Sequence, residues 1–158
     1  MLASRIIPCL LVKNRGLVMS VKFTDHRYVG DPINAVKIFN EKEVDELVIL
    51  DIEASAERRE PDYTMIANVA HECRMPLCYG GGVRTVDQIQ RIIKLGVEKV
   101  AIGAAAQADP GLISQGATVV GNQSIAVILD VKKVAARHEV FTQNGAVGTG
   151  KTPVEMGR

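Results

Sequence analysis

A chain of 158 residues, 47% hydrophobic and 23% charged, has the size and balance of one globular domain with a substantial core. Its formal net charge of +1 at pH 7 argues against a dedicated binder of nucleic acid or anionic membrane, because such partners attract strongly basic surfaces. No apolar run approaches the roughly 20 residues needed to span a bilayer. Met1–Pro8 also lacks the basic start and long apolar stretch of a signal peptide, so a cytoplasmic protein is expected.

In chain order, Ile6–Val12 reads as the first strand and Val18–Phe23 as a short extended excursion, with Arg15 and Lys22 nearby. Asp31-Pro32 opens a helix, Asp as N-cap and Pro at the first helical position, continued by Ile33, Val36, Ile38 and Phe39. Leu47–Ile52 is a near-continuous apolar strand of the kind found in parallel sheets. Asp62–Cys73 is predicted helical, Leu77–Gly80 a strand, and Thr85–Leu95 a helix capped by Thr85 and ended by Gly96. Lys99–Ile102 follows as a strand, Asp109-Pro110 starts another helix, and Ser124–Val131 reads as a fifth strand. His138–Thr142 is placed as a small hairpin strand, and Thr152–Met156 as the first turn of one more helix.

This alternation implies βαβ units and a parallel sheet, either doubly wound or closed into a barrel. An internal repeat favours the barrel. Ile6–Lys13 and Ile125–Lys132 superpose with a constant offset of 119 positions, an interval filled by four βα units. A barrel built of two half-barrels has that period.

Tyr79-Gly80-Gly81-Gly82-Val83-Arg84-Thr85 joins a strand end to a capped helix. Consecutive glycines let a ligand approach the backbone, and a helix start offers N–H groups, so phosphate binding is the expected use. Asp51 and Asp130 each end an apolar strand, where barrel side chains face the active-site mouth, and general acid/base work is the natural hypothesis for both. The alternative is a loop cap or a pair with Lys132 or Lys133. Arg5, Glu46 and Lys99 lie at the N-terminal ends of strands; on pattern alone they read as ordinary surface ion pairs. Cys9, Cys73 and Cys78 show no CxxC spacing, and Cys9 and Cys78 in apolar runs read as buried free thiols. His26, His71 and His138 are scattered and read as surface residues, so no metal or cofactor site is expected.

Taken in order, Arg5-Ile6-Ile7-Pro8-Cys9-Leu10, Gly30-Asp31-Pro32, Asp45-Glu46-Leu47, Leu50-Asp51-Ile52, Pro76-Leu77, Gly80-Gly81-Gly82 and Gly96-Val97-Glu98-Lys99-Val100 resemble the cyclase subunit of imidazole glycerol phosphate synthase. The likeness covers essentially the whole chain. It implies a (βα)8 TIM barrel, a lyase-type cyclase of histidine biosynthesis that pairs with a glutaminase in a glutamine amidotransferase heterodimer. Ammonia from the glutaminase, docked at the barrel bottom, would then serve a phosphorylated small-molecule substrate. On this resemblance Arg5, Glu46 and Lys99 match an ammonia gate, Gly81 and Gly82 a phosphate site, and Asp130 one of two catalytic aspartates.

Departures from the family pattern narrow the reading. Leu11 stands where the other catalytic aspartate is expected, Met19 replaces a lysine, and Ala101-Ile102-Gly103-Ala104-Ala105 lacks the polar side chains of the first phosphate site. These changes resemble the paralogue that works with a glutaminase in lipopolysaccharide sugar amidation, whose acceptor would be a nucleotide-linked sugar. A true histidine-pathway cyclase, forming imidazole glycerol phosphate and AICAR, and a non-catalytic scaffold that activates the glutaminase are the two rival readings. A full barrel needs roughly 250 residues. The expectation is therefore one incomplete barrel domain over 1–158, with half-barrel 1 over about 1–120 and the start of half-barrel 2 over about 121–158. Such a truncated form carries exposed strand edges prone to association.

Overall fold

A computed structural model describes residues 4–158. Strand β1 (Cys9–Lys13) leads into a hairpin of β2 (Gly16–Val21) and β3 (Thr24–Gly30), then helix α1 (Pro32–Glu41). The units β4 (Leu47–Asp51), α2 (Tyr63–Glu72), β5 (Leu77–Gly80), α3 (Val86–Lys94) and β6 (Lys99–Ile102) follow. Helices α4 (Ala104–Ala108) and α5 (Gly111–Val120) precede β7 (Ile125–Val127). The chain continues through β8 (Asp130–Val134), β9 (Arg137–Thr142), β10 (Val147–Gly148) and α6 (Pro153–Met156).

The main sheet has the order β3-β2-β1-β4-β5-β6-β7, and its five strands β1, β4, β5, β6 and β7 are parallel. Their order is sequential, without the reversal of a doubly wound sheet. The register aligns Leu10, Ile49, Tyr79, Val100 and Ile125 in one row and Leu11, Leu50, Gly80, Ala101 and Ala126 in the next. Alternate residues point to opposite faces. The first row, with Val12, Leu47, Leu77 and Ile102, packs against Val36, Ile66, Val69, Ile89, Ile92 and Leu112 of the helices. All the large helices thus cover one face of the sheet, as in a (βα) barrel, and the other face is left for a central cavity.

Helix boundaries follow local chemistry. Asp31 accepts hydrogen bonds from the N–H groups of Ile33 and Asn34, with Pro32 at the first turn of α1. Thr85 and Gln88 form a reciprocal capping box on α3. Gly96, at φ +98°, turns the chain out of that helix toward β6.

Several expectations need correction. The first strand starts at Cys9 rather than Ile6, because Pro8 has no N–H to give the ladder, although the Ile6 and Pro8 carbonyls still accept from Asp45 and Val48. The excursion at Val18–Phe23 is one arm of a two-stranded hairpin whose second arm, Thr24–Gly30, is polar and mostly exposed. Helix α4 was not anticipated; its Ala104-Ala105-Ala106-Gln107-Ala108 sequence has no amphipathic period. The fifth strand breaks after Val127, and Asp130 opens β8 of a separate sheet ordered β10-β9-β8. Asp130 therefore sits three residues past the parallel strand instead of ending it. Cys78 is buried, but Cys9 is exposed. Cys9, Val48 and Cys78 stand in one register row on the same face, Cys9 on the hairpin side of it, so an apolar run alone did not secure the burial of Cys9.

Removing the α3 cap isolates one local term. Thr85→Ala should destabilise the fold by about 1 kcal/mol, read as a lower denaturant midpoint at unchanged slope.

Candidate functional site

The N-terminal ends of the parallel strands carry a buried ion cluster. Glu46, just before β4, is 4% exposed. It receives Arg5 Nη2 at 2.8 Å and Lys99 Nζ at 2.7 Å on both carboxylate oxygens. Arg5 reaches it from the segment before β1 and Lys99 from the start of β6, so one carboxylate ties together three strands. The three residues read as surface pairs on pattern thus form one contact group, and its central carboxylate is inside. A buried carboxylate requires such pairing, because desolvation without a partner is costly.

At the opposite, C-terminal end lies a cavity of about 380 Å³. Its walls include Leu11 of β1, Leu50 and Asp51 of β4, Gly80 and Gly81 of β5, and Ala101 of β6. Asp130 also lines it, as do Lys22, Phe23 and His26 of the β2–β3 hairpin and Phe141–Asn144 at the β9 end. His26, read as an ordinary surface residue, belongs to this rim. Met19 does not; it is 62% exposed on the hairpin. Ser55, Gln107, Lys22 and Asn144 were not singled out from sequence as site residues. They sit on turns or on the short α4, where no periodicity marks them.

The two aspartates differ in their partners. Asp51 is 7% exposed, and its Oδ1 accepts from the N–H groups of Glu53 and Ala54 at 3.1 Å. Arg59 adds contacts at 3.3 and 3.4 Å, and Glu57 holds Arg59 from the other side, raising the guanidinium pKa further. Asp51 thereby organises the β4–α2 loop, with its carboxylate already engaged. Asp130 has no such cradle. Burial pushes its carboxyl above the ordinary aspartate value, partly offset by the nearby Lys132 charge. A half-buried, poorly compensated carboxyl on a cavity wall is suited to proton transfer.

The glycine run is shaped by close packing. A Cβ on Gly81 (φ +125°) would lie 2.5 Å from the Asp51 carbonyl oxygen, and one on Gly82 (φ +72°) 2.8 Å from that of Arg59. The Gly81–Gly82 peptide is held at both ends: its carbonyl accepts from the Tyr79 hydroxyl at 3.2 Å, and its N–H donates to Ser55 Oγ at 3.2 Å. The Arg84 and Thr85 N–H groups are satisfied by Gln88 Oε1, and that of Gln88 by Thr85 Oγ1. The start of α3 is thus capped from within. Gly81 and Ser55 face the cavity, whereas Gly82 is not among its lining residues.

A second junction closes the rim. Lys132 Nζ lies 5.3 Å from the Phe23 ring centroid and 4.9 Å from that of Phe141, and it donates to the Gly145 carbonyl. No helix among the described residues is long and apolar enough to cross a membrane.

The histidine biosynthesis protein family matches residues 5–158. Over 147 residues the chain is 58% identical to the "Putative imidazole glycerol phosphate synthase subunit hisF3" of Vibrio vulnificus, covering 92% of this chain and 56% of that protein. It is 52% identical over 158 residues to a subunit named likewise, HisF, of Leptospira interrogans, covering 99% of this chain and 62% of the relative. The hisF2 protein of Pseudomonas aeruginosa, again so named, is 52% identical over 156 residues, with 98% and 62% covered. The chain therefore spans 56–62% of the length of these curated relatives.

The raised carboxyl of Asp130 has a stability consequence with a definite sign. Its folded pKa exceeds the unfolded value, so the ionised group opposes folding at neutral pH, and this cost vanishes once pH falls below the ordinary aspartate range. Asp130→Asn should therefore raise the thermal midpoint at pH 7, with the gain shrinking toward pH 3 in a series of melting curves.

Proposed function

This chain belongs to the histidine biosynthesis protein family, and from that premise we propose that it is a cyclase-like, ammonia-accepting subunit that works with a glutaminase. Its acceptor, on this reading, is a nucleotide-linked sugar of lipopolysaccharide amidation rather than the histidine-pathway intermediate. The observation that carries the reading is the pairing of two ends: Glu46 held by Arg5 and Lys99 at one, and a cavity containing both Asp130 and Leu11 at the other.

The glutaminase docks at the Arg5–Glu46–Lys99 end. Ammonia passes the ion cluster when Lys99 or Arg5 swings from Glu46, both cations being partly exposed, at 32% and 53%. It then follows the inward face of the sheet. The row there, Leu11, Leu50, Gly80, Ala101 and Ala126, is apolar throughout, which suits passage of the neutral molecule over ammonium.

Inside the cavity, ammonia adds to a carbonyl carbon of the acceptor, the C=O π pair moves to the oxygen, and Asp130 takes a proton from the bonding nitrogen. Gly81 and Gly82 supply the backbone of a phosphate subsite, in which Gly81 faces the ligand and Gly82 anchors Ser55. Asp51, the second acid/base candidate, lines the same cavity and also fixes the loop that supports these glycines. Leu11 is what separates this reading from a histidine-pathway cyclase. It has no ionisable group, and loss of one member of an acid/base pair typically costs about 10²–10⁴-fold in rate.

Two assays test the proposal. The chain should stimulate glutamine hydrolysis by an imidazole glycerol phosphate synthase glutaminase, and Lys99→Ala should weaken that stimulation. With ammonium as nitrogen source, turnover of the histidine-pathway intermediate should be near background. Robust turnover would return the protein to histidine biosynthesis; stimulation without turnover of any nucleotide-linked sugar would favour the glutaminase-activating scaffold.

A further inference from the structure

The β2–β3 hairpin turns its polar side to the cavity and its apolar side to solvent. Leu11, on the cavity wall, pairs with Val18, so by alternation Ser20 shares the cavity side while Met19 and Val21 face away. Ser20, Lys22 and His26 line the cavity, whereas Met19 and Val21 are left 62% and 59% exposed. Arg27, paired with Met19, belongs to the outer side as well. A hairpin placed only to cover the cavity would have the opposite pattern, apolar residues inward.

The turn adds a second observation. Lys22 (φ +52°) and Phe23 (φ +68°) are the two residues between the paired Val21 and Thr24, and both have left-handed backbone. Such a two-residue turn prefers Asn-Gly, so the backbone does not account for a lysine there. Among the described residues Lys22 makes no ion pair, although its chain neighbour Asp25 is a carboxylate. It is also the one lysine or arginine among the described residues that line the cavity, whose carboxylates Asp51 and Asp130 stand on other elements. Ser20, Lys22 and His26 are all at least partly exposed, so a ligand in the cavity can reach them. An ammonium, a hydroxyl and an imidazole on one wall match a group with several acceptor oxygens and a negative charge, which is a phosphoryl group.

We infer that the inner face of the β2–β3 hairpin is an anion-binding wall on which Lys22, with Ser20 and His26, holds a phosphoryl group of the ligand. In the nucleotide-linked acceptor proposed above, that group is the diphosphate. The inference rests on the proposed ligand-binding role of the cavity and adds the residue that meets the ligand's charge.

The test is calorimetric titration of inorganic pyrophosphate into the wild-type chain, Lys22→Asn, Lys22→Arg and Arg27→Asn. Asparagine tolerates left-handed backbone, so Lys22→Asn should melt no lower than the wild type. It should bind pyrophosphate about 10-fold more weakly, the loss expected for one hydrogen bond to a charged group. Lys22→Arg should retain most of the affinity. Arg27→Asn, which removes the same charge from the outer side, should bind as the wild type does. Equal losses in Lys22→Asn and Arg27→Asn would reduce the effect to net charge and overturn the site, as would unchanged affinity in Lys22→Asn. A wild type that binds no pyrophosphate overturns it too. Glutaminase stimulation is read at the opposite, Arg5–Glu46–Lys99 end, so its absence would sink the proposed function without altering the pyrophosphate result. Should Lys22→Asn not fold, Lys22→Gly, equally suited to this backbone, serves for the same comparison.

Discussion

Parallel pairing in one register sorts every side chain of β1, β4, β5, β6 and β7 to one of two faces, and almost everything else follows from that sorting. The row from Leu10 to Ile125 meets the helices, and the row from Leu11 to Ala126 meets the cavity. A slip of one residue in any strand would carry Ile49, Tyr79 or Val100 to the cavity side and strip the helix layer of its contacts. Burial of the helix-facing row is the dominant stabilising term, since each such side chain contributes about 1.5–3 kcal/mol when fully covered. The chemistry-bearing residues can then be small or polar because they are not asked to make the core.

The same directionality makes the two ends of the sheet electrostatically unlike. At the N-terminal ends, Glu46 is buried but doubly matched by Lys99 and Arg5. At the C-terminal ends, Asp130 is half-buried and matched only at a distance. The first carboxylate has two cations at contact distance; the second lines a cavity without one among the described residues. Asp51, also on the cavity wall, shows that a strand-end carboxylate can at the same time hold a loop.

The parts of the fold legible in the sequence are those marked by local chemistry. Leu77–Gly80 and Lys99–Ile102 are short apolar runs with clear boundaries, and the Thr85 and Asp31 caps announce their helices. The second arm of the β2–β3 hairpin was not legible, because Thr24–Gly30 is exposed on both faces and so lacks alternation. Nor was the break after Val127: Ile128 and Leu129 continue the apolar pattern while the chain leaves the sheet. For the candidate site, the Arg5–Glu46–Lys99 contact joins residues 41 and 53 positions apart, which no local pattern reports. Ser55 reaches the cavity from a turn and Gln107 from the short α4, and single polar residues in such segments give no periodic signal.

The Lys132 junction has a consequence for how the molecule opens. The β8–β9–β10 sheet is built from contacts close in sequence and packs mainly on itself and α6, with Lys132 bridging from it to Phe23 on the far hairpin. Units of this kind exchange their amide protons through sub-global opening, at a free energy below that of whole-chain unfolding. Breaking the Lys132–Phe23 contact would release the small sheet from the hairpin while the βα layers stayed protected. Amide exchange should therefore divide the chain into a slow layer, β4 through β6 with α2 and α3, and a faster one after Asp130.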